Sequence, residues 1–271
     1  MSFAEFIVRF SAFGIYDLFE NGLIRRITAA GEPGSWQNAL AIGIGVVLCI
    51  VVSYLLGSIN TALIISKRLF KDDIREHGSG NAGTTNVLRT YGKKPAILTF
   101  VGDALKVVVA IVFAGLLFGC PASELNYLYL ATVSYMSAFF CIFGHVFPIF
   151  SHFRGGKGFA TLVGSILVLD PFLFVILFIV YVPMVLCSHY ISLSSVVIAL
   201  FYPLMLSAAE RWRMNFGLLP LGIGVLFSVM IGVLIAWAHR ENIKRIYNGT
   251  ERKFYLGKKH KAAKTDGEKE Q

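Results

Sequence analysis

The sequence predicts an all-α, polytopic membrane protein with about seven transmembrane helices, one pair of them a short helical hairpin. Three observations lead there. Of 271 residues, 56% are hydrophobic and only 15% charged. The mean hydropathy is +0.67. The apolar residues also fall in long unbroken runs. Soluble domains carry about 25% charged residues, so the principal solvent of this chain is lipid. Uniform runs of this length satisfy their own backbone hydrogen bonds as helices, whereas barrel strands would alternate.

Residues 1–38 are expected to form an N-terminal amphipathic extension. Phe3, Phe6, Ile7, Phe10 and Phe13 recur at helical spacing, with Glu5, Arg9 and Asp17 elsewhere on the wheel. That pattern suits an interfacial helix, with a tilted membrane segment as the alternative. An early acidic residue and the lack of an unbroken apolar stretch argue against a cleavable signal peptide. Gly31 to Gly34, with Pro33, then breaks the chain. Apolar runs from Ala39 to Leu56, Ala96 to Phe118, Tyr127 to Ile149, Phe172 to Cys187, Ser194 to Ala208 and Gly217 to Ala238 approach or exceed the roughly 20 residues that cross a bilayer. Between Thr161 and Cys187 the stretch is long for one span, and Asp170-Pro171 interrupts it, which predicts the hairpin with that dipeptide as its turn. A membrane domain over 39–255 and a disordered basic tail over 256–271 follow.

Charge sets the orientation. The net charge is +9, and from His239 onward ten Lys/Arg stand against five Asp/Glu. If the first span runs inward, the charged, glycine-rich segments 57–95, 144–160 and 239–255 all face the Lys/Arg-rich cytoplasmic side. Arg211 and Arg213 then lie opposite, a mild breach of that tendency. No aromatic platform accompanies the tail, so anionic lipid rather than nucleic acid is its expected neighbour. Cys49, Cys120, Cys141 and Cys187 lie in or at the ends of apolar runs without a CxxC pair and read as small core residues.

The three polar segments carry the chemistry. In the first, Ser79, Gly80, Asn81, Gly83, Thr85 and Asn86 concentrate amides, hydroxyls and glycines, followed by Arg89. Such a stretch turns backbone N–H groups toward one point, and a helix starting near Thr84 or Thr85 adds its positive end, the usual way to hold phosphate. Arg89 offers a bidentate charge. In the second, Gly155-Gly156-Lys157-Gly158 allows close backbone approach to an anion that Lys157 would neutralise, but it fails the Walker A pattern, which disfavours nucleotide hydrolysis. In the third, His239 and Asn242 share a helical face, although a histidine closing a helix is favourable without any function. Asp103 and Lys106, inside the second span, either pair structurally or bring Lys106 to the site. His145, Ser192 and Ser194 complete the supporting set, with helix capping the alternative for the serines. Cys141 and His145, one turn apart, lack the orienting partner of a nucleophile and base. The sequence has no Gly-x-Ser-x-Gly elbow, no His-x4-Asp pair and no HExxH, so neither a hydrolase nor a metal or cofactor is expected.

The ordered motifs HGSGNxGxTNVxRxxG, GHxFPxFxxFRGGKGxAT and HRENIxRxxNGTE, with GS near 57, resemble the bacterial glycerol-3-phosphate acyltransferase family PlsY over roughly residues 40–255. Asn60, Thr84 and Val107 depart from the family's usual proline, alanine and glycine. The resemblance implies a monomeric, multi-pass enzyme of the bacterial cell membrane that moves an acyl group from acyl phosphate to glycerol 3-phosphate at the cytoplasmic face. It further implies that Ser79, Arg89, Lys157, His239 and Asn242 act in catalysis, with Glu251 more structural. A transporter of phosphorylated solutes is the competing expectation, but transporters place ligand groups near the bilayer midplane, often in inverted repeats. Here the phosphate-type residues cluster at helix ends, and no repeat is visible.

Overall fold

In the computed structural model, residues 22–29, 35–119, 124–214 and 222–255 are described. The amphipathic pattern in residues 1–21, the break at 31–34 and the tail 256–271 lie outside them. Among the described residues the chain is helical, without strands. Helix α1 covers Leu23–Ala29 and α2 Trp36–Ser58; α3, Thr61–Ile65, continues as a π-turn through Ser66–Phe70. Then come α4 (Thr84–Tyr91), α5 (Lys93–Phe118), α6 (Glu124–Val146), α7 (Phe159–Leu169), α8 (Pro171–Ser188), α9 (Ile191–Met214), α10 (Gly222–Ala238) and α11 (Arg240–Tyr247).

Five spans are long and apolar enough to cross a membrane, or six if α10 and α11, bent by 53°, count as one. The 11-residue α7 does not qualify. At about 1.5 Å per residue it reaches little more than half of a roughly 30 Å hydrocarbon core. With α7 as the shorter arm of the expected hairpin, the described residues thus hold six or seven apolar helices, in line with the expected architecture of about seven. The hairpin itself is present. Ring centroids of Phe159 and Tyr181 lie 5.1 Å apart, so α7 and α8 fold back on each other. Pro171 begins α8, where its missing N–H is harmless. The buried Asp170 carboxylate accepts hydrogen bonds from the hydroxyls of Tyr135 and Tyr202, the latter at 3.1 Å. These bonds satisfy at the hairpin tip a carboxylate that apolar surroundings would otherwise penalise.

Helix α6 is the centre of the bundle, with Leu130, Tyr135, Ala138 and Ile142 buried, while Val47, Leu48 and Val51 of α2 face outward, as lipid-exposed side chains do. Lipid gives little hydrophobic drive between helices, so their association depends on close approach through small residues. A Cβ on Gly57 would sit 2.0 Å from the Cys141 carbonyl oxygen, and one on Gly144 2.2 Å from that of Tyr54. These glycines bring α2 and α6 into backbone contact beside the site. Gly57→Ala and Gly144→Ala are each expected to destabilise the protein by about 1–3 kcal/mol, seen as a lower thermal midpoint in detergent. Gly43→Ala, which meets nothing within 4 Å, serves as control, and an equal midpoint in all three would contradict this packing.

Candidate active site

The chain breaks at Gly57-Ser58 before the first polar segment. Asn60 caps α3, accepting from the Leu63 N–H at 3.0 Å, and its amide donates to the Ala82 carbonyl at 3.4 Å. Helix α4 begins at Thr84 with Gly83 as its N-cap, the start expected from sequence. The α4 N-terminus, the Gly158 turn and the α10–α11 junction meet at one end of the bundle around a cavity of about 460 Å³. Ser79, Asn81, Gly83, Thr84, Thr85, Arg89, Lys157, Gly158, His239 and Asn242 line its polar part.

One hydrogen-bonded chain ties the second segment to the third. Lys157 Nζ donates to Asn242 Oδ1, and Asn242 Nδ2 donates to Glu251 Oε1 at 2.7 Å. Ser192 Oγ donates to the same carboxylate oxygen at 3.0 Å, and Arg245 Nε to Oε2 at 2.8 Å. Burial would raise the Glu251 pKa, but the bonds from Arg245, Asn242 and Ser192 outweigh it and hold the carboxyl below its usual value. Arg89 reaches the Arg252 carbonyl at 3.4 Å, which closes the third side. His239 Nδ1 lies 2.8 Å from the Ile235 carbonyl. A carbonyl only accepts, so the proton sits on Nδ1 and a neutral ring has its lone pair on Nε2. Burial, with Arg245 nearby, lowers the Lys157 pKa to about 8.

Other expected residues also hold the protein together; Asn86 lines the cavity as well. The Asn86 amide donates to the Ile74 and His77 carbonyls at 3.0 and 2.9 Å and accepts from the Ser79 N–H at 3.0 Å. Asn86 thus shapes the loop, and its hydrogen-bonding groups are engaged within the protein. Gly80, Gly155 and Gly156 do not line this cavity; the last two are needed for close packing, since a Cβ on either would lie 2.1 Å from an atom of His145. Lys106 is also absent from the lining. It is buried, donating to the carbonyls of Gly57 and Ile59 at 3.0 Å each, which selects the structural alternative. Ser194 is buried, with its hydroxyl on the carbonyl of Tyr190 just before α9, whereas Ser192 does line the cavity.

Some features of the site carry no role in the sequence reading. Thr84 Oγ1 is buried without a hydrogen-bond partner among the described residues, at the cavity edge. Arg245, a fixed position of the third motif, stands outside the lining and grips Glu251 from behind. Most of all, the cavity continues as an apolar trough lined by Phe100, Val163, Leu167, Phe174 and Phe178 of α5, α7 and α8. Leu167 and Phe178 are largely exposed, so the trough reaches the lipid-facing surface. In a chain that is apolar nearly throughout, no sequence pattern marks such residues.

A cationic and amide-rich pocket opening into a hydrocarbon-lined trough, inside a helical bundle, defines an integral membrane protein with a site for an amphiphilic anion. Comparison with known proteins makes this specific. Residues 47–249 match the family model for glycerol-3-phosphate acyltransferase. The glycerol-3-phosphate acyltransferase of Clostridioides difficile is 37% identical over 211 residues, covering 77% of this chain and 95% of that protein. Glycerol-3-phosphate acyltransferase 2 of Bacillus anthracis is also 37% identical, covering 77% and 98%. The crystal structure of PlsY, an integral membrane glycerol 3-phosphate acyltransferase, in its glycerol 3-phosphate form superposes with a TM-score of 0.67 at 31% identity, covering 78% of this chain and 96% of that one. Its lysophosphatidic acid form gives 0.64. The chain belongs to the glycerol-3-phosphate acyltransferase (PlsY) family.

The lowered Lys157 pKa gives a pH expectation. A lysine is cationic below its pKa, so this charge is present at neutral pH and lost as pH rises through about 8. The KM for glycerol 3-phosphate is expected to climb above about pH 8, by up to about tenfold per unit. In Lys157→Arg the charge persists, and the rise should vanish over that window whatever the absolute activity. A wild-type KM flat from pH 7 to 9.5 would contradict the assignment.

Proposed function

We propose that this protein transfers a fatty acyl group from acyl phosphate to glycerol 3-phosphate, giving lysophosphatidic acid and inorganic phosphate, as a monomer in the bacterial cell membrane with its site facing the cytoplasm. The observation that carries the reading is the single cavity whose cationic end adjoins an apolar trough. Such a site suits a donor with a hydrocarbon tail and a phosphate head, and it leaves room at the polar end for a small phosphorylated acceptor.

Acyl phosphate is already activated, because phosphate is a good leaving group. The protein then needs chiefly to align the acceptor and balance anionic charge. In this reading Arg89 and Lys157 bind and neutralise the two phosphates, assisted by the N–H groups at the start of α4 and at Gly158. Ser79 and Asn242 orient substrate groups by hydrogen bonding, and Glu251 with Ser192 holds Asn242 in place. The glycerol hydroxyl oxygen attacks the acyl carbon, the bond from that carbon to the phosphate oxygen breaks, and inorganic phosphate leaves. The hydroxyl proton passes to His239 Nε2 or to a substrate phosphate oxygen. The buried tail would lie along Val163, Leu167, Phe174 and Phe178. Cytoplasmic orientation is supported by the lysine- and arginine-rich ends that carry the site.

Purified protein is expected to release lysophosphatidic acid and phosphate in equal amounts from acyl phosphate and glycerol 3-phosphate, with or without a chelator, and acyl-CoA should not replace the donor. Arg89→Lys keeps the charge but loses the planar fork and should lose about tenfold or more in kcat/KM. Equal turnover with acyl-CoA, or full activity in Arg89→Lys, would overturn this reading.

A further inference from the structure

A buried polar cluster stands beside the Lys157 loop, with two of its members, Asp103 and His145, also lining the cavity, and the proposed reaction uses none of it. Lys106 Nζ lies 3.0 Å from Asp103 Oδ1 and 2.7 Å from His145 Nδ1, and it also meets the carbonyls of Gly57 and Ile59 at 3.0 Å. Three ammonium protons thus serve four acceptors drawn from the end of α2, from α5 and from α6. All three side chains are buried, with Asp103 1%, Lys106 7% and His145 3% exposed. An ammonium only donates, so toward Lys106 at 2.7 Å Nδ1 accepts and the ring proton belongs on Nε2; Asp103 Oδ1, at 3.5 Å from Nδ1, is the acceptor of the other tautomer. The Nε2 edge abuts the phosphate-type loop: a Cβ on Gly156 would sit 2.1 Å from it. The same imaginary atom would be 3.1 Å from the Ala82 carbonyl, so first and second segments converge on this ring. The His145 carbonyl accepts from the Gly156 N–H at 3.1 Å, and a Cβ on Gly155 would lie 2.1 Å from that oxygen.

We propose that His145, locked by Asp103 and Lys106, is a positioning residue for Lys157: its ring and carbonyl form the seat that fixes Gly155-Gly156 and thereby the direction of the lysine that follows. A side chain held on one ring nitrogen by a doubly anchored ammonium has a single orientation, and a glycine pair leaves no side chain to cushion a shift of the loop. Two charges buried in a bundle are ordinarily penalised, so their retention beside the site has a physical reason if the seat must be rigid. Removing the ring leaves the Lys157 charge in place but frees its approach to the phosphate. An apolar core residue at 145 could fill space, but it could not be held in one orientation by Lys106.

The proposal rests on Lys157 binding substrate phosphate, and a double-mutant cycle separates the two claims. His145→Ala is expected to raise the KM for glycerol 3-phosphate by about tenfold or more while kcat falls less than about threefold, and His145→Gln should recover part of the loss. Because His145 acts through Lys157, His145→Ala combined with Lys157→Ala should be no worse than Lys157→Ala alone. If the two effects multiply, or if His145→Ala leaves KM unchanged, the positioning role is overturned. If Lys157→Ala alone leaves KM unchanged, the phosphate-binding reading of Lys157 fails first. Elution profiles establish folding, and should His145→Ala not elute as folded protein, the same cycle with His145→Gln decides by the same criterion.

Discussion

The site depends on one hydrogen-bonded chain, from Lys157 through Asn242 to Glu251. It joins the loop before α7 to the helix after α10, two stretches more than 80 residues apart in sequence, and it does so where the polypeptide leaves lipid for water. Without Glu251, Asn242 loses the partner that orients its amide toward Lys157, and Arg245 and Ser192 lose a shared acceptor. A buried carboxylate bonded on both oxygens holds its charge and its geometry together. That, with Arg89 on the Arg252 carbonyl, lets three segments far apart in sequence act as one surface.

Membrane burial explains why the rest is arranged around that chain. In lipid the helices contribute shape, through glycine contacts such as Gly57 on Cys141 and Gly144 on Tyr54, while polar groups gather at one end or are satisfied in pairs. Asp170 with Tyr135 and Tyr202 shows the same rule at the hairpin tip. The short α7 follows from it as well. An arm that need not cross the bilayer can place its N-terminal turn, with Gly158 at φ +84°, against the polar cavity and its body along the trough. Anion site and hydrocarbon groove thus share one element.

Much of this was legible in the sequence because lipid imposes strict patterns. Apolar length gave the helices, Asp170-Pro171 gave the hairpin, and the density of glycine, amide and hydroxyl around residue 80 marked the start of α4. Other features left no such trace. Asn86 and Thr85 look alike as polar loop residues, yet only contacts reveal that the Asn86 amide is engaged by Ile74, His77 and Ser79. Gly156 reads in the sequence as a place for an anion, and nothing there announces that the His145 ring packs against it. The trough residues Phe174 and Phe178 cannot be told from their lipid-facing neighbours by type, since hydrocarbon lines both. Composition fixes what may enter lipid, not how far an arm reaches, so the shortness of the 11-residue α7 shows only in the structure.

In the proposed reaction one cavity holds both the phosphate and the hydrocarbon of a single molecule. A crystal structure of this protein with lysophosphatidic acid is expected to show the phosphate between Arg89 and Lys157 and the chain along Val163, Leu167, Phe174 and Phe178. A ligand whose phosphate sits away from Lys157, or whose chain lies on the outer face of α2 or α10, would contradict it.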